Sequence, residues 1–155
     1  MGHTASSNLN VLVFVGSLRR QSYNRGLVNA ILESPEFKAS GIKAHVPNLG
    51  EIPFYNQDYE DDKSKIFKWV LDIPEVVNDL NKLCIKSQLL LFATPEYNSS
   101  ITPTVKNAFD WLSRPSPIYE NKVPVFGKRA AAMSTSYISQ LQLNDCVKMG
   151  NYRKL

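Results

Sequence analysis

Val11-Leu-Val-Phe-Val15 runs without a break into Gly16-Ser-Leu-Arg-Arg-Gln-Ser-Tyr-Asn24. The first five residues are β-branched or large and apolar, with no polar alternation. That is the pattern of a strand buried on both faces of a parallel sheet. The polar stretch after it ends on Ser22 and Asn24, and beyond these Leu27, Val28, Ile31 and Leu32 recur at helical spacing until Ser34-Pro35 breaks the pattern. A buried strand, a polar loop and an amphipathic helix in that order make the first half of a βαβ unit.

The same alternation continues downstream. Ile42 to Val46 reads as a short second strand, followed by a Pro- and Asn-rich loop through Pro47, Pro53 and Asn56. Around Ile66, Phe67, Trp69 and Val70 the residues fit either an extra short helix or a surface excursion. Pro74 suits the first position of a new helix, with Asp72 near its cap and Val76, Val77, Leu80, Leu83 and Cys84 on its apolar face. Leu89 to Ala93 is another buried strand. Thr102-Pro103 opens a helix as cap and first residue, with Val105, Ala108, Phe109 and Leu112 on one face. Arg129 to Met133 is the last clear strand. Strands alternating with helices imply right-handed crossovers and a doubly wound parallel α/β sheet sandwiched by helices. In such a sheet, ligands sit outside the carboxyl ends of the strands, at the switch point between crossovers to opposite faces.

Composition narrows the function classes. With 155 residues, 43% of them hydrophobic and 21% charged, the chain has the balance of one folded domain. Residues 1–8 are expected to be a flexible leader, 9–134 the domain and 135–155 an atypical tail. The +4 charge is scattered rather than run together, which argues against nucleic acid while suiting anionic small ligands. No stretch approaches a membrane span and no signal-peptide core is visible, so the chain reads as cytoplasmic. Cys84 and Cys146 make no disulfide framework, and His3 and His45 supply neither a metal cluster nor a Ser-His-Asp triad.

The loop after the first strand carries the parts of a phosphate site. A helix N-terminus offers backbone N–H groups and positive dipole charge. Ser17 and Ser22 add hydroxyls, Arg19 a planar cation and Asn24 an amide. The residues alone leave this loop equally a phosphate-monoester site and a set of plain caps and turns. It lacks both GxxxxGK[ST] and GxGxxG, so triphosphate and pyrophosphate are not its natural ligands. The corresponding loop after the third strand is Thr94-Pro-Glu-Tyr-Asn98, leading to Lys106-Asn-Ala-Phe-Asp-Trp-Leu-Ser-Arg114.

Together, GSxRxxSxN and TPEYN followed by KNAxDWxSR resemble the two signatures of the NADPH-dependent FMN reductase family, over residues 10 to 134. The resemblance implies a flavodoxin-like fold and FMN as cofactor, with NADPH or NADH as hydride donor. It further implies a small acceptor such as a quinone, an azo compound or a metal oxyanion, and assembly as a homodimer or homotetramer. It assigns Ser17, Arg19, Ser22 and Asn24 to the FMN phosphate, and Pro95, Glu96, Tyr97 and Asn98 to a loop along the isoalloxazine ring. No side chain is assigned as catalytic, since the flavin carries the chemistry. Lys106, Asn107 and Asp110 fall where the family fixes that loop or a subunit contact, with Lys106 of one subunit placed to meet Asp110 of another. Trp111 reads as packing rather than stacking, and Tyr97 fits either role.

Two departures stand out. Relatives usually carry Pro-Gly where this chain has Thr102-Pro103. After Ser134 the chain has neither the family's Gly-rich loop nor a legible fifth strand. A non-catalytic, flavin-deficient module acting through a partner is therefore the alternative function. A phosphatase reading lacks a cysteine nucleophile or metal carboxylates at the strand ends.

Overall fold

The computed structural model describes residues 9–59, 73–114, 124–125 and 128–134. Four strands, β1 (Asn10–Val15), β2 (Lys43–His45), β3 (Leu89–Thr94) and β4 (Arg129–Ser134), form one sheet in the order β2-β1-β3-β4. Every pairing is parallel. The helices are α1 (Tyr23–Glu33), α2 (Pro35–Ala39), α3 (Glu75–Lys86) and α4 (Pro103–Leu112), with single 3₁₀ turns at Leu49–Glu51 and Gln57–Tyr59.

The two-faced burial expected of a parallel sheet is present in β1. Leu12 and Phe14 face one side, where Phe14, Phe92 and Phe109 stack with centroids 4.7 Å (Phe14–Phe92) and 5.0 Å (Phe92–Phe109) apart. Val77, Leu80 and Cys84 of α3 and Val105, Ala108 and Leu112 of α4 close that core. Val11, Val13 and Val15 face the other side, against Val28 of α1 and the half-buried Leu32 and Phe37. So α1 lies on one face of the sheet and α4 on the other. The crossovers leaving β1 and β3 diverge, and the switch point falls between the carboxyl ends of these two strands.

Several sequence expectations need adjustment. Ser34-Pro35 ends α1 but also begins α2, because the Ser34 hydroxyl accepts from Phe37 N and Pro35 takes the first helical position. Leu27 is 45% exposed, off the face that Val28 buries. Pro74 is the N-cap of α3 rather than its first residue. The second strand keeps only Lys43–His45 of the stretch from Ile42 to Val46. Ile31 and Leu32 are only partly covered, since they line an open apolar groove of about 270 Å³ with Phe37, Leu89 and Arg129. That groove sits at the amino-terminal ends of β3 and β4, away from the switch point. The stretch holding Asp72, Ile66, Phe67, Trp69 and Val70, the leader 1–8 and the tail 135–155 lie outside the described residues.

Candidate functional site

The loop following β1 is built on its serines. Ser17 is buried, and its Oγ accepts from Arg19 N at 3.3 Å, tightening the turn. Ser22 is the N-cap of α1, its Oγ accepting from Arg25 N at 3.3 Å. Both oxygens act as acceptors, so both hydroxyl protons remain to be donated. A serine that caps is thereby also a donor, and the cap and phosphate readings of this loop are compatible. Asn24 is buried in the first turn of α1, which contains no acidic residue, and the Arg19 side chain is exposed beside that turn. Two hydroxyls, a guanidinium and a helix N-terminus with no acidic residue in its first turn suit a phosphate monoester in charge and in donor count.

The loop following β3 is a closed two-residue turn. Tyr97 N donates to Ser100 O at 2.9 Å and Ser100 N donates to Tyr97 O at 3.0 Å, with Asn98 at φ 50° and Ser99 at φ 58°. Two successive left-handed residues make a type I′ geometry, a conformation that costs energy without glycine. The turn leaves Tyr97 47% exposed, with Pro95 and Glu96 half-buried behind it. Tyr97 has an exposed ring, which suits contact with a ligand better than core packing.

These loops are held side by side by Gly16. Its N–H donates to Ala93 O at 2.9 Å, and its carbonyl accepts from the Thr104 hydroxyl at 2.8 Å. A Cβ at Gly16 would lie 2.2 Å from Thr94 Oγ1 and 2.6 Å from Thr102 Oγ1, so only glycine permits the approach. Thr102 does sit at the N-cap of α4, with Pro103 at the first position, but its hydroxyl caps nothing. Instead it lies 3.2 Å from Thr94 Oγ1 and 3.1 Å from Thr104 Oγ1. This cluster was not anticipated from the sequence; the only signal was three threonines around a strand end and a helix start.

The KNAxDW stretch on α4 does not reach into either loop. Asn107 accepts from Tyr55 N at 2.8 Å and donates to Pro53 O at 2.9 Å, and Trp111 Nε1 donates to the same carbonyl at 2.9 Å. They clamp the segment after β2, presenting Phe54 82% exposed. Trp111 is buried, edge-on to Tyr55 and Tyr59, as packing requires. Lys106 pairs with Asp110 one turn along its own helix, so the cross-subunit pairing expected from sequence would have to break this contact.

Cys84 is buried in the α3 core and its Sγ donates to Pro124 O at 3.3 Å. Burial pushes the thiol up from its ordinary 9.0 to about 12, against the opposing pull of Lys128. It is an inert core thiol rather than a nucleophile. Among the described residues no group of His, Cys, Asp and Glu is placed to hold a metal, and no helix is long and apolar enough to cross a membrane.

Comparison with known proteins agrees with this fold. The family model for NADPH-dependent FMN reductase matches residues 9–145. An NAD(P)H:quinone oxidoreductase of Solanum tuberosum is 39% identical over 107 residues, 69% of this chain and 51% of the relative. An NAD(P)H-dependent FMN reductase of Pseudomonas aeruginosa is 34% identical over 131 residues, 84% of this chain and 62% of the relative. The chain therefore spans between half and two thirds of the length of these relatives. Among solved structures, FerB, a flavoenzyme NAD(P)H:(acceptor) oxidoreductase from Paracoccus denitrificans, superposes with a TM-score of 0.70 at 31% identity, covering 92% of this chain and 72% of that one. An azoreductase, AzrA, shares the fold at 14% identity with a TM-score of 0.65, covering 94% of this chain and 84% of its own. With a matching family model across most of its length and both sequence signatures at adjacent strand ends, the chain belongs to the NADPH-dependent FMN reductase family.

Proposed function

We propose that this chain binds FMN across the carboxyl ends of β1 and β3 and serves an NAD(P)H-dependent reductase of small acceptors such as quinones. The observation that carries this reading is the close approach of the two loops at Gly16, which sets a phosphate-suited helix N-terminus beside an exposed turn at the switch point. Ser17, Arg19, Ser22 and Asn24 would hold the phosphate. Pro95, Glu96, Tyr97 and Asn98 would line the ring. Bound FMN supplies the hydride chemistry, between a nicotinamide donor and the acceptor. The protein's part is to hold and orient.

The relatives named as quinone oxidoreductases favour a quinone as acceptor over an azo dye or a metal oxyanion. The alternative, a flavin-deficient module, rests on residues 135–155, outside the described residues. One experiment separates the two. The purified protein, titrated with FMN and examined by visible spectroscopy and flavin fluorescence, is expected to take up one flavin per chain. It should then oxidise NADPH in the presence of a benzoquinone. A protein that leaves FMN free in solution refutes the reading in favour of the module.

A further inference from the structure

We propose that Thr104 is a positioning residue that aims the Ser17 N–H into the phosphate site, through its hydrogen bond to the carbonyl of Gly16. This inference rests on the FMN-phosphate reading above and adds to it a residue in the first turn of α4.

The geometry follows from one peptide unit. The Gly16–Ser17 bond is trans, as are all peptide bonds among the described residues, so its C=O and N–H point in opposite directions. The Thr104 hydroxyl takes the carbonyl at 2.8 Å, on the side where α4 begins. The Ser17 N–H must then point away from α4, and it makes no hydrogen bond to a described residue. Without Thr104, nothing among the described side chains holds this peptide plane. Ser17 is the first residue of the loop that the donor chemistry assigns to phosphate.

Proton counting shows how Thr104 is itself held. Its one hydroxyl proton goes to Gly16 O, so in its 3.1 Å contact with Thr102 it can only accept. Thr102 then donates to Thr104 and can only accept from Thr94, 3.2 Å away. Thr94 has one proton, and Pro95 O at 3.1 Å competes with Thr102 for it. The directed chain of hydroxyls thus runs from Thr102 through Thr104 to the first carbonyl of the phosphate loop. Its orientation is set by the single acceptor at the far end. The cluster includes the departure from the family's usual Pro-Gly, because Thr102 stands where that proline would remove the hydroxyl.

The test compares Thr104→Val, which keeps shape and removes the donor, with Thr104→Ser, which keeps the donor. In Thr104→Val, FMN affinity should fall by about tenfold or more, as expected for a misaligned hydrogen bond to a charged group. Riboflavin affinity should change less than about twofold, and Thr104→Ser should restore FMN binding. A second readout needs no flavin: the Ser17 amide resonance, followed by NMR as inorganic phosphate is added. It should shift in the wild type and Thr104→Ser but not in Thr104→Val. Equal losses for FMN and riboflavin, or a Ser17 amide that answers phosphate alike in all three proteins, would overturn the proposal. So would a Ser17 amide unmoved by phosphate in the wild type. A wild type that ignores FMN yet shows the Thr104-dependent phosphate response would uphold the positioning role and remove the flavin reading.

Discussion

Arg19 shows how much a single residue in this site depends on its surroundings. Its backbone N–H closes a turn on Ser17, while its side chain is exposed at a helix start with no acidic residue in the first turn. A guanidinium there is free to face an anion, and the helix dipole adds to its field. Arg19→Ala should weaken FMN binding by about 1.5 to 3 kcal/mol, the usual worth of a hydrogen bond to a charged group. Riboflavin, which has no phosphate, should bind both proteins alike in the same fluorescence titration. Losses of equal size for the two flavins would place Arg19 outside the phosphate site. Cys84 shows the reverse case, where surroundings silence a reactive group: the burial that raises its pKa leaves it almost wholly protonated at neutral pH.

At the scale of elements, α4 acts at both ends. Its N-cap Thr102 and first-turn Thr104 lie against Gly16, and Asn107 and Trp111, in its middle and last turn, hold the segment after β2. Asn107 is suited to this second task because an amide both accepts, from Tyr55 N, and donates, to Pro53 O. Asn107→Asp keeps the acceptor and removes the donor. It should lower the unfolding free energy by about 1 to 3 kcal/mol at neutral pH, measured in urea. The deficit should shrink in acid, where a protonated carboxyl can donate again; a loss that does not depend on pH would assign the effect to packing instead. The central elements were legible in the sequence because each rests on a local pattern: the apolar runs of β1 and β3, the spacing of Val105, Ala108, Phe109 and Leu112, and the Pro103 start of α4. What was not legible depends on residues distant in the chain. Asn107 meets Tyr55 and Pro53, and Thr104 meets Gly16, only after the sheet has assembled. Leu27 joined the apolar spacing of α1 yet stayed exposed, because α1 covers the sheet with a narrower stripe than its sequence offers. The second helix α2 was hidden because Ser34-Pro35 ends one helix and starts another with the same residues.

For the whole molecule, stability and alkaline pH are linked through the core. The folded thiol of Cys84 ionises near 12 and the unfolded one near 9.0, so the folded state holds its proton more tightly. This contribution is fully present below 9.0 and is lost progressively as pH rises toward 12. The urea midpoint of the wild type should therefore fall more steeply above pH 9 than that of Cys84→Ala, whatever their difference at pH 7. Parallel curves would mean that the thiol is not desolvated as described. The two signatures in the sequence identified which strand ends would meet, and the structure supplied Gly16 and the threonine cluster that make them meet in a fixed way. Those contacts also impose an order on biosynthesis. Gly16 and Thr104 are 88 positions apart, so the loop after β1 leaves the ribosome long before the residue whose hydroxyl binds its first carbonyl. At about 5 to 20 residues per second, that interval is roughly 4 to 18 seconds. During this time a nascent chain displays the whole GSxRxxSxN signature without the hydroxyl that binds its first carbonyl.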